Sequence, residues 1–155
     1  MALYEIVDEP RPSQLSHLSA NPFWMFLATM LGGVWLGWSW FAVNSVAMGS
    51  ASRNKELSLI GVGLCGSLAL TLFGGYLVGS GALDADNVGY AATVLIIWKL
   101  VISYQLHIWQ ARSFELYQYF GGRVRNGLLM LMVGFFLRPF VLGSLNGHLL
   151  QVVLA

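Results

Sequence analysis

Acidic residues are so sparse in this chain that their positions constrain where it can meet water. Only seven Asp and Glu occur in 155 residues. They lie at Glu5, Asp8, Glu9, Glu56, Asp84, Asp86 and Glu115. The long stretches between them are predominantly apolar, and a helix needs roughly 20 apolar residues to cross the hydrocarbon core of a bilayer. Charged residues make up 10% of the chain, against about 25% in soluble proteins. The sequence therefore indicates an integral membrane protein.

The hydrophobic pattern predicts one all-α transmembrane domain over residues 1–155, with four transmembrane helices in a compact bundle. The predicted parts are a polar tail at about 1–21 and spans at about 22–42, 57–83, 88–109 and 126–146. Asn21 and Pro22 suit the N-cap and the first position of the first helix, because the Asn side chain caps a free N–H and Pro lacks one. Pro139 removes a backbone hydrogen bond, so we expect it to kink the fourth span.

The second predicted span is rich in glycine. Gly63 and Ser67 are four residues apart, and so are Gly75 and Gly79. Small residues at this spacing let helix backbones approach each other closely in membranes. We therefore expect these four residues at helix-packing contacts.

Basic residues outside the spans are unevenly distributed. The tail holds Arg11, whereas the second loop and the C-terminus hold none. The first and third loops hold Arg53, Lys55, Arg112, Arg123 and Arg125. Loops rich in Lys and Arg stay in the cytoplasm. The sequence therefore predicts cytoplasmic first and third loops and external termini, and we expect a bacterial inner membrane.

Residue types that catalyse reactions are not grouped in this sequence. No acid lies inside a predicted span, so there is no basis for hydrolysis by paired carboxylates. Cys65 is the single cysteine, which excludes a CxxC redox or zinc motif. His107 and His148 fall near opposite ends of neighbouring spans, too far apart to share a haem. We expect no enzyme activity, no cofactor and no metal.

Two basic residues fall near the middle of predicted spans. Lys99 lies about 15 Å along its helix from Trp109, and Arg138 lies about 18 Å from Asn126, at 1.5 Å per residue. A charged side chain at the bilayer centre costs about 2.5 to 3.5 kcal/mol, and such residues usually face a bundle interior or an aqueous cavity. Both cations are therefore candidates for a functional site.

Lys99 also begins a polar stripe on one helix face, because Ser103, His107 and Gln110 follow at spacings of four, four and three. We predict that Lys99, Ser103, His107 and Arg138 line a water path, and that homo-oligomerisation repeats the cations as rings. Basic rings line anion-selective pores. The alternative is that Lys99 extends toward the headgroups, and that Arg138 marks an interface beyond which the chain lies along the membrane surface.

Arginines and aromatic residues are interspersed in the third loop. Arg112, Arg123 and Arg125 accompany Tyr117 and Tyr119. Guanidinium groups beside aromatic faces suit phosphate-bearing ligands, including nucleotides, nucleic acid and lipid headgroups. The same residues are also typical of any membrane interface. The loop is a candidate docking site for a nucleotide, a nucleic acid or a cytosolic regulatory protein.

Together these features predict a homo-oligomeric, regulated ion channel or pore-forming membrane effector in contact with membrane lipid. In architecture alone the chain is similar to small four-span effectors of bacterial anti-phage systems, and that similarity implies a pore opened by a cytosolic signal. The alternative is a non-catalytic structural or assembly subunit of a larger membrane complex. In that case, carboxylates of partner chains would neutralise Lys99 and Arg138.

Overall fold

The computed structural model describes residues 13–145 and 147–155, and the regular elements of this part of the chain are all helices. The all-α prediction is therefore confirmed. The α-helices are α1 (Pro22–Gly32), α2 (Val34–Met48), α3 (Arg53–Gly79), α4 (Val88–Tyr119), α5 (Leu128–Gly143) and α6 (His148–Leu154). Two short 3-10 helices, Gln14–Leu18 and Ala85–Asn87, precede α1 and α4.

Helices α3 and α4 are long and apolar enough to cross a membrane. They have 27 and 32 residues and pack against each other along the predicted second and third spans. Only 11% of the most apolar stretch of α3 and 28% of that of α4 is buried. Their outer faces expose large apolar side chains such as Phe73 on α3 and Ile97 on α4. The apolar surface of this pair thus lies mainly on the outside of the molecule.

The predicted first span is wrong, because residues 22–42 do not form one helix. The chain reverses at Gly33, which has a φ of +98°, a conformation that residues with a Cβ rarely adopt. Gly37 packs directly against Thr29, because a Cβ built on Gly37 would clash with Thr29 Oγ1. Residues eight positions apart do not touch in one continuous helix, so the chain reverses between them. The backbone N–H of Ala20 also donates to Asn44 Oδ1 at 3.0 Å. Helices α1 and α2 form an antiparallel hairpin, and its turn is called the hairpin tip below.

The hairpin changes which end of the bundle the N-terminal segment occupies. Ser13 N–H donates to Ala47 O at 3.4 Å, and Arg125 N–H donates to Ser19 O at 2.8 Å. Residues 13–20 therefore lie at the same end as the first and third loops, and this end is called the basic end. The sequence predicted that these residues lie at the end opposite to the first and third loops. That prediction is wrong, because the first apolar segment folds back at Gly33. Arg11 and the rest of 1–12 lie outside the described residues.

The predicted fourth span is a shorter helix followed by a break. Helix α5 runs alongside α1, with Gly127 against Trp24 and Gly134 against Leu36. It has 16 residues and continues through Pro139. The described chain resumes at Gly147 with a φ of +139°, and α6 then packs against α3. The structure thus holds two long helices and two broken apolar segments rather than four continuous spans.

Helix α2 lies at the centre of the bundle, although it is one of the shorter helices. Ten of its 15 residues are buried. Its Trp38 and Phe41 join Met25 of α1 and Leu106 of α4 in the main core. Trp38 Nε1 donates to Ser103 Oγ at 2.8 Å, which satisfies the buried indole N–H. This packing holds the hairpin tip against the middle of α4.

Candidate anion-binding cavity

A cavity of about 540 Å³ lies where the hairpin tip meets α4, α5 and α6, and it is called the tip cavity below. Its volume is within the range of typical ligand pockets. It is lined by Thr29, Met30, Val34, Ala92, Leu95, Ile96, Lys99, Leu100, Arg138, Val152 and Ala155. The two cations that the sequence places near mid-span thus share one cavity. Among its described lining residues none has an acidic side chain.

Lys99 reaches the cavity from the inner face of α4. Leu95, Lys99, Ile102, Leu106 and Gln110 recur on that face every three or four residues and are buried, as helical periodicity requires. The Lys99 side chain is 8% exposed. Its Nζ donates to Val152 O in the last turn of α6, at 2.7 Å.

Arg138 reaches the same cavity from α5, and its side chain is half-buried. Its Nη1 donates to Leu31 O in the last turn of α1, at 3.4 Å. Helix C-termini carry unpaired carbonyls and a partial negative charge. The carbonyl of Leu31 for Arg138, and that of Val152 for Lys99, therefore take the place that a carboxylate would fill in an ordinary ion pair.

Both cations keep unused hydrogen-bond donors. A Lys ammonium has three N–H groups and an Arg guanidinium has five, and within the described chain each of these two cations makes one hydrogen bond. Thr29, the other lining residue with a polar side chain, donates its hydroxyl to Met25 O at 3.1 Å. The cavity therefore offers positive charge and free N–H donors with little competition from protein acceptors. This chemistry suits an anion.

Ser103 and His107, the other two residues of the predicted water path, lie outside the tip cavity. Ser103 is fully buried: it donates to Lys99 O at 2.7 Å and accepts from the indole of Trp38. The His107 ring packs beside Phe26 with ring centroids 5.8 Å apart, and its Nδ1 has no partner among the described residues. In the single chain Ser103 and His107 thus pack against neighbouring side chains, and of the polar stripe Lys99 lines the cavity.

A second buried charge, Glu56 at the start of α3, was not identified from the sequence. Glu56 is fully buried near the basic end. Ser50 and Ser52 each donate a hydroxyl to its Oε1 at 2.6 Å, and Gln110 Nε2 donates to Oε2 at 2.8 Å. Gln110 Oε1 in turn accepts from Asn44 Nδ2 at 3.0 Å. This Glu56 network links α2, α3, α4 and the loop between α2 and α3.

The sequence signal for this network is weak but recognisable. Ser52 and Glu56 are four residues apart, so they share a helix face. Asn44 and Gln110 are uncharged amides within otherwise apolar stretches, and buried amides need partners. Which of these groups meet depends on the hairpin, which the sequence does not reveal.

The aromatic and basic residues of the third loop do not form one cluster. Tyr117 is buried, and its hydroxyl donates to Ser16 O at 3.4 Å and Arg123 O at 3.3 Å. It joins the N-terminal segment to the third loop and cannot stack on a ligand. Tyr119 is 84% exposed. The side chains of Arg112, Arg123 and Arg125 are also exposed at the basic end.

The four small residues of α3 divide into two pairs. Gly63 packs against Trp38, since a Cβ on Gly63 would lie 2.6 Å from Trp38 Cη2, and Ser67 is fully buried. Gly75 and Gly79 lie on an exposed face, and apart from the adjacent residues and backbone of α3 no described atom comes within 4 Å of a Cβ built on either. Only the first pair contributes to packing within one chain.

The described residues contain no group of three His, Cys, Asp or Glu that could hold a metal ion. Comparisons with protein-family models, with curated proteins and with solved structures find no match to this chain. The function is therefore argued from the geometry of the tip cavity.

Proposed function

We propose that this chain is an integral membrane protein that forms a homo-oligomeric anion channel. The membrane location is supported by two helices of sufficient length whose apolar side chains face outward. A water-soluble protein rarely exposes so large an apolar surface. The core helix of a soluble protein would be mostly buried, whereas α3 and α4 are mostly exposed.

The orientation follows from the charges at the two ends of the bundle. The basic end has Arg53, Lys55 and the arginines of the third loop. The turn between α3 and α4, at the far end, has Asp84 and Asp86 and no basic residue. By the positive-inside rule we propose that the basic end faces the cytoplasm.

The observation that carries the anion proposal is the pair of cations in one cavity. Lys99 and Arg138 both line the tip cavity, and each is held by a helix C-terminal carbonyl rather than by a carboxylate. A cation in a low-dielectric cavity attracts anions and repels cations. The tip cavity is therefore suited to select for negative charge.

The oligomeric part of the proposal follows from the packing below the cavity. Trp38 and Leu106 are packed in the main core, and Trp38 contacts Ser103 one turn of α4 from Lys99 toward the basic end, so we infer that the described part of one chain is closed there. A conducting path then has to run between chains. The cavity reaches the outer surface beside Met30 and Ile96, where a neighbouring copy can complete its wall.

A subunit of a larger membrane complex remains the second candidate. It is favoured by the exposed positions of Gly75 and Gly79, where the described residues leave open space. Glycines at this spacing provide a surface against which another helix can pack closely. That helix could belong to a different protein.

The test is electrical recording of the purified chain in a planar bilayer with an asymmetric KCl gradient. We expect conductance steps with a reversal potential close to that of chloride. The changes Lys99→Met and Arg138→Met should shift the reversal potential toward zero or toward that of potassium. Lys55→Met is the matched control, because it removes the same charge from the exposed basic end.

Either of two results would contradict the proposal. One is cation-selective conductance in the unaltered protein. The other is chloride selectivity that is equally strong in the unaltered protein and in both cavity variants. A chain that stays monomeric and silent in the bilayer, but co-purifies with a different membrane protein, would favour the subunit candidate.

A further inference from the structure

We propose that the tip cavity binds an amphipathic anion, a single hydrocarbon chain with a carboxylate, which enters sideways from the lipid layer. This inference rests on the proposed membrane location and anion preference, and it names the class of anion. It is carried by the composition of the cavity wall, the position of its opening and the depth of its cations.

The wall of the cavity is mostly apolar. Of its eleven described lining residues, only Thr29, Lys99 and Arg138 have polar side chains. A small inorganic anion can interact with Lys99 and Arg138 but gains nothing from the apolar part of the wall. A hydrocarbon chain gains from contact with the same wall, while its carboxylate can accept from the free N–H groups of the cations.

The opening of the cavity lies on an apolar surface. Met30 of α1 and Ile96 of α4 line the cavity and are 55% and 57% exposed. On α4 the exposed apolar surface continues from Ile96 to Ile97 and Val101. In a membrane this surface faces lipid, so an amphiphile can enter without crossing water.

The cations lie at a depth where they can hold the carboxylate of the amphiphile below the membrane surface. Lys99 is eleven residues beyond Val88, the first residue of α4, which places it about 16 Å along the helix. A carboxylate at this depth is costly unless it is paired with a cation. Lys99 and Arg138 provide that pairing part of the way across the bilayer.

The experiment measures binding of dodecanoate to the full chain in phosphatidylcholine nanodiscs, with empty nanodiscs subtracted. Methyl dodecanoate, which has the same chain without the charge, is the comparison ligand. We expect dodecanoate to bind at least about tenfold more tightly than the ester, because the charge-assisted hydrogen bonds are lost in the ester. Lys99→Met should weaken dodecanoate binding by about the same factor, and Lys55→Met should leave it unchanged.

A wall variant tests the role of the hydrocarbon chain separately. Ala92 is an exposed lining residue, so Ala92→Trp can reduce the space for a chain without disturbing the core. We expect this change to weaken dodecanoate binding, because the Trp ring occupies space along the apolar wall.

Three outcomes would overturn the inference in distinguishable ways. Equal binding of acid and ester would show that the cavity recognises the chain alone. Chloride-selective conductance sensitive to Lys99→Met, without specific dodecanoate binding, would leave the proposed channel intact and exclude the amphiphile. Absence of both binding and conductance in a folded oligomer would remove the proposed function as well.

Discussion

Among the described residues, the tip cavity and the Glu56 network both bury charge without a partner of opposite sign, but they satisfy that charge differently. Each cation of the tip cavity makes one hydrogen bond, to a helix C-terminal carbonyl, and keeps further donors free. The carboxylate of Glu56 accepts three hydrogen bonds, two from serine hydroxyls and one from Gln110. A buried charge with a full set of hydrogen bonds is suited to hold helices together. A buried charge with unused hydrogen-bond donors can still bind a ligand.

The difference also extends to the backbone around each charge. The Glu56 network lies between regular helices and one short loop, and its amide groups continue to Phe41 O and to the backbone of Ala20. The tip cavity lies where α1 stops at Gly33 and where α6 ends. Free helix termini supply the carbonyls there, so the broken helices themselves produce the electrostatics of the cavity.

The largest expected effect is on stability, at the Glu56 network. Glu56→Ala removes the acceptor of two buried donors and one half-buried donor, so we expect the free energy of unfolding to fall by about 3 kcal/mol. Unfolding of the detergent-solubilised protein by a denaturing detergent measures this change. Glu115→Ala, at an exposed position of α4, is the control and should change stability by less than about 0.5 kcal/mol. Equal free energies of unfolding for Glu56→Ala and Glu115→Ala would show that the network does not stabilise the fold.

A smaller loss of stability is expected at the hairpin tip. Gly33→Ala forces a Cβ into a positive-φ conformation and to within 2.5 Å of Ala155 O, and we expect a cost of about 2 kcal/mol. Gly75→Ala is the matched control, because Gly75 lies inside α3 with open space around it. That change should stabilise the helix by up to about 1 kcal/mol. A Gly33→Ala variant with an unchanged free energy of unfolding would argue against the hairpin turn.

The smallest effect on stability is expected at the cavity itself. Lys99→Met keeps most of the side-chain volume and removes a buried charge that has one hydrogen bond. Replacing a buried charge by an apolar side chain is often neutral or stabilising, so the free energy of unfolding should change by less than about 1 kcal/mol. The same unfolding assay as for Glu56→Ala measures it. A loss as large as that of Glu56→Ala would make Lys99 a structural residue and remove the contrast between the two regions.

Local patterns in the sequence predicted several features correctly. Asn21 caps α1 through a bond from Phe23 N–H at 2.9 Å, with Pro22 at the first position. Helix α4 begins at Val88, where the third span was predicted to begin. Lys99, Ser103 and Gln110 lie on one face of α4, as their spacing in the sequence predicted. These features depend on residues close together in the chain.

The hairpin and the two buried polar sites could not be predicted in the same way. An apolar segment of about 20 residues has the same composition whether it crosses a membrane once or turns back at a glycine, so counting hydrophobic residues treated 22–42 as one span. The partners of Glu56 include Gln110, which is 54 residues further along the chain. The acceptor of Lys99 is a backbone carbonyl 53 residues away, and every residue type offers one.

By itself, the sequence determined that this protein is helical and apolar, that helices cover most of 57–83 and all of 88–109, and that two cations lie within apolar segments. Hydrophobicity and helical periodicity depend on neighbouring residues, so they can be seen without a structure. Only the tertiary structure decided that Lys99 and Arg138 share a cavity while Glu56 is enclosed by donors. Both results depend on where two helices are broken and which helix ends then meet, and these are properties of long-range packing.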